Sequence, residues 1–156
     1  MNNNIIHFIS KQTCASVCCV NELEKSPYCF SCFYAFNSEK GLFYFKSSKE
    51  ACHSMIMATN PLVAGTILPD KLNVLQIKGI QFQGAILTDD HPLAKEAFTH
   101  YHKHHPMALA VPGHMWTIQI TDIKMTDNSL GFGTKITWNR NELVEQSKSK
   151  QSIQLH

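Results

Sequence analysis

The 156-residue chain has no long apolar run and no strong excess of charge of either sign. Its hydrophobic stretches are too short to cross a bilayer, so no membrane-spanning helix is predicted. The 14 basic and 12 acidic side chains give a formal net charge of +2, which is too small to predict nucleic-acid binding. The first residues lack the basic-then-apolar pattern of a secretory signal, so a cytoplasmic location is expected.

The six cysteines form no recognisable zinc framework. Only Cys29 and Cys32 have the C-x-x-C spacing, and no second ligand pair on a turn accompanies them. No metal site is therefore predicted. In a reducing compartment the cysteines are expected to act as small hydrophobic side chains of the core.

The sequence does contain a series of short hydrophobic strands separated by turns. Strands are predicted over 14–20, 28–36, 42–46, 61–67, 72–87 and 115–125, and helices near 4–11, 47–59 and 92–104. Six strands with helices at the margins predict a mainly β, antiparallel barrel. One domain over residues 1–141 is expected, followed by a polar, flexible tail over 142–156.

One strand alternates strictly between polar and apolar side chains. Ile80 and Phe82 point to one face, and Gln81 and Gln83 point to the other. The apolar face is expected to lie in the core. The polar face, with Lys78 at its start, is expected to face a ligand. A solvated outer sheet face explains the same pattern equally well.

The start of the second predicted helix is a candidate anion site. Ser47 and Glu50 match a capping box, and Lys46, Lys49 and His53 lie close to them in sequence. Free N–H groups and the helix dipole favour a phosphate at such an end. A plainly capped surface helix is the alternative interpretation.

A run of histidines follows near the end of the third predicted helix. His100 and His104 have the i, i+4 spacing of a metal-ligand pair, but no third ligand lies nearby in sequence. The sequence favours a solvated helix end, where histidine complements the helix dipole.

Three segments resemble the flavin-binding split barrels, the group that contains pyridoxamine 5′-phosphate oxidase. They are Asn60-Pro61 at the end of a helix, the strand Lys78–Gly84 that ends in glycine, and the run Lys124–Trp138. The last closely resembles a signature of the uncharacterised bacterial YhbP-like family within that group, and the similarity extends from Ile5 to about Arg140. The resemblance implies a six-stranded antiparallel split β-barrel with flanking helices, which forms a homodimer and binds FMN at the subunit interface.

The resemblance also implies which residues surround the FMN. The phosphate would lie at the helix start, and Gln81 would hydrogen-bond the pyrimidine edge of the flavin. The implied cofactor contacts from one chain are Phe30, Ser31, Cys32, Phe33, Phe45, Lys46, Ser47, Lys49, His53, Lys78 and Gln81. The partner or substrate side would be formed by Asn128, Phe132 and Lys135.

The chain departs from the oxidases at two phosphate-binding positions. Phe30 and Cys52 stand where the oxidases have arginine, and the Arg-x-His motif of the vitamin oxidases is absent. The resemblance thus implies an FMN-dependent oxidoreductase that acts on a small molecule or electron acceptor other than the vitamin. The flavin would do the redox chemistry, so no catalytic side chain is assigned.

Two alternatives follow from the same residues. The missing arginines suit a non-catalytic ligand-binding barrel whose flavin site has decayed. A relative of this fold uses histidine to bind haem, so the run His100–His105 keeps haem binding or haem handling as a remote alternative.

Overall fold

The computed structural model describes residues 1–131 and 133–142. Phe132 and nearly all of the predicted tail lie outside the described residues. The helices are α1 Asn3–Lys11, α2 Cys52–Thr59 and α3 Ala97–His104. The strands are β1 Cys14–Asn21, β2 Ser26–Asn37, β3 Leu42–Ser47, β4 Leu62–Ile67, β5 Lys78–Ile86, β6 His114–Asp127 and β7 Lys135–Asn139.

The strands form one antiparallel sheet that closes on itself. The order is β3-β2-β1-β4-β5-β6-β7, and a further pairing of β3 with β6 completes a ring of six strands. The first half of β6 pairs with β3 and its second half with β7, on the same edge. The predicted fold class, a mainly β antiparallel split barrel with flanking helices, is confirmed.

The seventh strand is new relative to the sequence prediction, in which the last strand was 115–125. Gly131 and Gly133 adopt φ values of 125° and 72°, in the left-handed region that glycine tolerates best. The chain therefore reverses, and Ile136 and Trp138 turn inward against β6. The sequence analysis missed the short alternation over 135–139, which follows these glycines.

One inward-facing row of the core runs across six strands. Register pairs align the row in the order Phe30, Val17, Gly65, Phe82, Ile123 and Trp138. A Cβ atom on Gly65 would overlap the Phe82 ring, so the glycine provides the space that the ring fills. Burying a side chain such as Phe82, which is 4% exposed, contributes about 1.5–3 kcal/mol.

The second helix begins later than the sequence predicted. Ser47 is the last residue of β3, where it pairs with His114, and Ala51 is the N-cap of α2 without a side-chain cap bond. The expected capping box is therefore wrong, because sheet pairing holds Ser47 in an extended conformation. Ser48 instead accepts a hydrogen bond from the Glu50 backbone N–H, at 3.2 Å.

The fifth strand is also shorter than expected. Residues 69–77 form a loop, with the Asn73 side chain accepting a hydrogen bond from the Leu75 backbone N–H at 3.0 Å. This local bond favours a turn over an extended strand. Strand β5 therefore starts at Lys78.

The cysteines depart most from expectation. Cys18 and Cys29 lie opposite each other on β1 and β2 and form a disulfide. Of the other four, only Cys19 is buried, while Cys14 and Cys52 are exposed. The expectation of core cysteines is thus wrong for most of them, because strand alternation places Cys14 and Cys18 on the outer face of β1.

Helix α3 covers the outside of β2 and β3. Ala97 and Tyr101 pack on Ala35, Leu42 and Tyr44 in a second, smaller core. Both faces of β3 are consequently buried, so this strand offers no apolar surface to a partner. Within the described residues, no helix has the length and hydrophobicity needed to cross a membrane.

Candidate functional site

The outer face of the sheet carries a continuous line of exposed polar side chains, here called the polar row. Its members are direct cross-strand neighbours on six strands: Ser31, Ser16, Thr66, Gln81, Lys124 and Thr137. All six are exposed. At the usual spacing of strands, the row is roughly 24 Å long. It lies on the opposite face of the sheet from the buried row that contains Phe82, displaced by one residue on each strand.

A groove follows the polar row over β1, β4, β5, β6 and β7. Its volume is about 610 Å³, within the range of small-molecule sites. The neighbouring outer row contributes Cys18, Ala64, Gln83, Asp122 and Asn139 to its lining. Most of the side chains that line the groove are polar, and they offer several hydrogen-bond donors and acceptors to a ligand.

Two lysines lie on this outer face. Lys124 belongs to the polar row, and Lys135 is paired with Thr126 one row away. Both are exposed. The nearby Asp122 carboxylate already accepts a hydrogen bond from the Asn139 amide at 2.6 Å. Glu142 also lines the groove, so the charges beside it are of both signs.

Lys78, which the resemblance assigned to the cofactor, makes a salt bridge. Its Nζ atom lies 2.7 Å from Asp127, whose side chain is 3% exposed. Burial raises the pKa of Asp127, but hydrogen bonds from Lys78 and Ser129 outweigh it, and the net pKa is lowered. This charged pair joins the start of β5 to the end of β6.

The mouth of the barrel beside α2 brings together four of the residues assigned to the FMN. The Phe30 ring stacks on His53 with 3.8 Å between centroids and lies 5.5 Å from the Phe45 ring. Ser47 Oγ is 2.7 Å from His53 Nε2. Burial lowers the pKa of His53 and so favours its neutral form. This cluster is called the barrel mouth. Within it, Ser47 and His53 hydrogen-bond to each other, and the aromatic rings pack together.

The two lysines near the barrel mouth face different partners. Lys46 Nζ donates to the Ala108 carbonyl at 2.9 Å, on the opposite side of β3 from Ser47. Lys49 Nζ lies 3.4 Å from Asp89, which also accepts from His114 at 2.9 Å. Sequence reasoning missed Asp89 and His114, because only the register of β3 with β6 places His114 beside Ser47.

The β2 residues assigned to the cofactor alternate between two faces. Ser31 lies on the polar row, with its Oγ atom 3.4 Å from that of Ser16, and Phe33 is 62% exposed on the same outer face. Phe30 and Cys32 point toward the core, and burial raises the pKa of the Cys32 thiol to about 12. A ligand on one side of the sheet can therefore contact either Ser31 and Phe33 or the other two residues, but not all four.

The residues assigned to the partner or substrate side lie around the turn before β7. Asn128 Oδ1 accepts from the Gly133 backbone N–H at 3.3 Å, and the Asn128 N–H donates to the Ile77 carbonyl at 3.0 Å. Lys135 is exposed on the outer face. Phe132 is not among the described residues.

The histidine run serves the fold through backbone contacts. Strand β1 begins with Cys14 opposite Phe33, so the part of β2 after Phe33 has no strand partner on this edge. His105 Nε2 lies 2.6 Å from the Tyr34 carbonyl, and His100 Nε2 lies 3.2 Å from the Phe36 carbonyl. Helix α3 thereby covers an open strand edge. Across residues 1–131 and 133–142, no three His, Cys, Asp or Glu side chains are placed to hold a metal ion.

The fold resembles several solved structures. A heme binding protein of Mycobacterium smegmatis superposes with a TM-score of 0.69 at 12% identity, covering 85% of this chain and 55% of that one. A FAD-binding protein of Mesorhizobium loti gives 0.61 at 17% identity, covering 79% and 92%. A Clostridium acetobutylicum protein of the pyridoxinephosphate oxidase family gives 0.59 at 11% identity, covering 90% and 94%. At these identities the likeness establishes the split-barrel fold alone.

Sequence relatives are much closer. No protein-family model matches the chain. It is 37% identical over 140 residues to a UPF0306 protein of Photorhabdus laumondii, covering 89% of this chain and 96% of that protein. It is 36% identical over 140 residues to a UPF0306 protein of Yersinia enterocolitica, covering 88% and 92%. On this near full-length similarity, the chain belongs to the UPF0306 family.

Proposed function

We propose that the chain is an FMN-binding split-barrel protein, within the YhbP-like group, that acts as a flavin-dependent oxidoreductase on a small molecule or electron acceptor in the cytoplasm. The observation that carries the proposal is the polar row, with Gln81 exposed at its centre above a well-packed core. Residues 1–141 would form the FMN-binding domain.

The groove residues suit a flat ring with a polar edge. The Gln81 amide both donates and accepts, which matches a ring edge that carries carbonyls and an N–H. Thr66 and Ser16 add hydroxyl groups on the same row, one and two strands away from Gln81. FMN bound here would supply two-electron redox chemistry. The protein's part is to orient the ring, to shield one of its faces and to place cations near the phosphate.

Two pairs of basic side chains are candidates to bind the FMN phosphate in this proposal. The resemblance favours Lys49 and His53 beside the start of α2, where backbone N–H groups also point outward. The geometry adds Lys124 and also Lys135, which the resemblance assigns to the partner or substrate side; both are exposed on the outer face. His53 is stacked on Phe30, and Lys49 faces Asp89, so the second pair is the freer one.

The proposed homodimer would complete the site with Asn128, Phe132 and Lys135 of the second copy. Support comes from the loop before β5, where Leu72, Val74, Leu75 and Ile77 are 73%, 94%, 88% and 62% exposed. Contiguous apolar side chains of this kind mark interaction surfaces. Sedimentation should give a dimer at micromolar concentration, and a monomer would remove the two-chain site.

A second candidate function is a non-catalytic ligand-binding barrel. The specific observation in its favour is the Phe30–His53 stack, which fills the position expected for a flavin phosphate with the protein's own side chains. In this case the groove would bind a ligand other than a flavin, or one that undergoes no redox change.

The absorption spectrum of protein freshly purified from its host separates these functions. Flavin bands support the proposal, and a Soret band would instead indicate haem. A protein without either chromophore is then titrated with FMN and riboflavin. Failure to bind either flavin would overturn the proposal and favour the non-catalytic barrel.

A further inference from the structure

The disulfide lies at the edge of the groove, outside the residues assigned to the flavin. Cys18 lines the groove together with Ala64 and Gln83, its neighbours along the second outer row. A smaller cavity of about 340 Å³ lies on the other side of Cys18. The disulfide therefore separates two open spaces on the outer face of the sheet.

The two cysteines of the disulfide differ in their exposure to solvent. Cys29 is exposed on β2, whereas Cys18 is half-buried between β2 and β4. A thiolate arriving from solvent reaches Cys29 first. The leaving group would be Cys18, whose thiolate then faces the groove.

The disulfide is expected to add little to the stability of the β1–β2 hairpin. The two strands are already held by eight consecutive register pairs, from Cys14 with Phe33 to Asn21 with Ser26. The two cysteines are only 11 positions apart in the sequence, and the stabilisation from a cross-link is smallest for short loops. Exposed disulfides with little structural role are the ones that exchange with thiols.

From this placement we propose that Cys18–Cys29 is a site of thiol–disulfide exchange, whose substrates are small thiols and dithiols and whose opening changes the edge of the groove. The incoming thiolate forms a bond to Cys29 Sγ, the Cys18–Cys29 bond breaks, and its electron pair leaves on Cys18 Sγ, which takes a proton from solvent. A second thiol then attacks the mixed disulfide and releases Cys29. In total the protein disulfide gains two electrons and two protons, while two thiols are oxidised to one disulfide.

No other cysteine on this face can take over the pairing. Cys14 lies on the same side of β1 but four residues before Cys18, which is roughly 13 Å along a strand. Cys19 points inward and is buried. The exchange therefore involves one defined pair, with Cys14→Ser as a matched control.

The first test uses the wild-type chain in glutathione buffers of increasing oxidised fraction, followed by acid quenching, alkylation and peptide mapping. Cys18 and Cys29 should change state together while the circular dichroism spectrum stays native. On reduction, the backbone amides of Ala64 and Gln83 should shift in NMR spectra, and those of α1 should not. A pair that never closes, or that opens only when the chain unfolds, would overturn the proposal.

The second test traps the intermediate with oxidised glutathione. Cys18→Ser should accumulate one glutathione on Cys29, and Cys29→Ser should react at Cys18 more slowly, on the order of tenfold, because access is poorer. Cys14→Ser should exchange like the wild type. Absence of an adduct on Cys29 would refute the exchange site, and equal rates for both cysteines would refute Cys29 as the point of attack. Flavin is not used in either test, so the result is independent of the proposed function.

Discussion

The barrel mouth and the polar row each contain residues that the resemblance assigned to one cofactor, and the two regions differ in how their polar groups are used. At the mouth, Ser47 bonds His53 and Phe30 stacks on the same ring. On the outer face, Gln81 and Lys124 project into a groove of about 610 Å³. Groups that satisfy each other stabilise a fold, whereas exposed groups in a groove remain available to a ligand.

The sharpest contrast lies between adjacent residues of β5. Phe82→Ala should lower the free energy of unfolding by about 3–5 kcal/mol, because it removes a buried ring that packs on Gly65 and Phe43. The neighbouring Gln81→Leu should leave the unfolding free energy nearly unchanged. Urea unfolding of both variants measures the difference. Equal losses would show that the outer face is not separate from the core.

The position of the phosphate can be decided by two double variants. Loss of each charge-assisted contact to a phosphate should cost roughly 1.5–3 kcal/mol of FMN binding and leave riboflavin nearly unaffected. Lys49→Ala with His53→Ala tests the barrel mouth, and Lys124→Ala with Lys135→Ala tests the outer face. Isothermal titration with both flavins compares them. Equal losses for FMN and riboflavin in both variants would place the phosphate elsewhere.

The contrast also shows what sequence could predict. Alternation over 79–83 correctly placed Phe82 inside and Gln81 outside, because a strand imposes a period of two on its side chains. The six strands of the ring followed from the same pattern. The polar row itself could not be predicted, because Ser16, Thr66 and Lys124 become neighbours of each other only through the register of distant strands.

The barrel mouth shows the opposite outcome. The sequence indicated that Ser47 and His53 lie near a helix start, and they do. It could not show that β3 continues through Ser47, or that Asp89 reaches Lys49 from 40 residues away. The disulfide was missed because Cys18 and Cys29 have no motif spacing and meet only through the pairing of β1 with β2.

The next smaller effect is expected from the loss of a single hydrogen bond between the polar row and the flavin. Gln81→Leu should weaken flavin binding by about 0.5–1.5 kcal/mol, or shift the flavin reduction potential. Gln83→Leu is the comparison variant, since Gln83 lines the same groove one row away, and its effect should be smaller than that of Gln81→Leu. Normal binding and an unaltered potential in Gln81→Leu, with wild-type binding established, would remove Gln81 from the site.

The smallest expected effect is the pH dependence of the barrel mouth. Burial lowers the pKa of His53, so the unfolded chain binds a proton at a higher pH than the folded chain does. The free energy of unfolding should therefore fall as the pH drops below about 6.5. His53→Gln should make this decline shallower in urea unfolding between about pH 7.5 and about pH 5.5. An identical decline in both proteins would show that His53 is not desolvated.

The most direct test of the polar row as the ligand site is FMN titration of isotope-labelled protein, followed by backbone amide NMR. Saturable shifts should centre on Gln81 and its cross-strand neighbours Thr66 and Lys124. Shifts confined to Ser47 and His53, or no saturable shifts at all, would contradict the account.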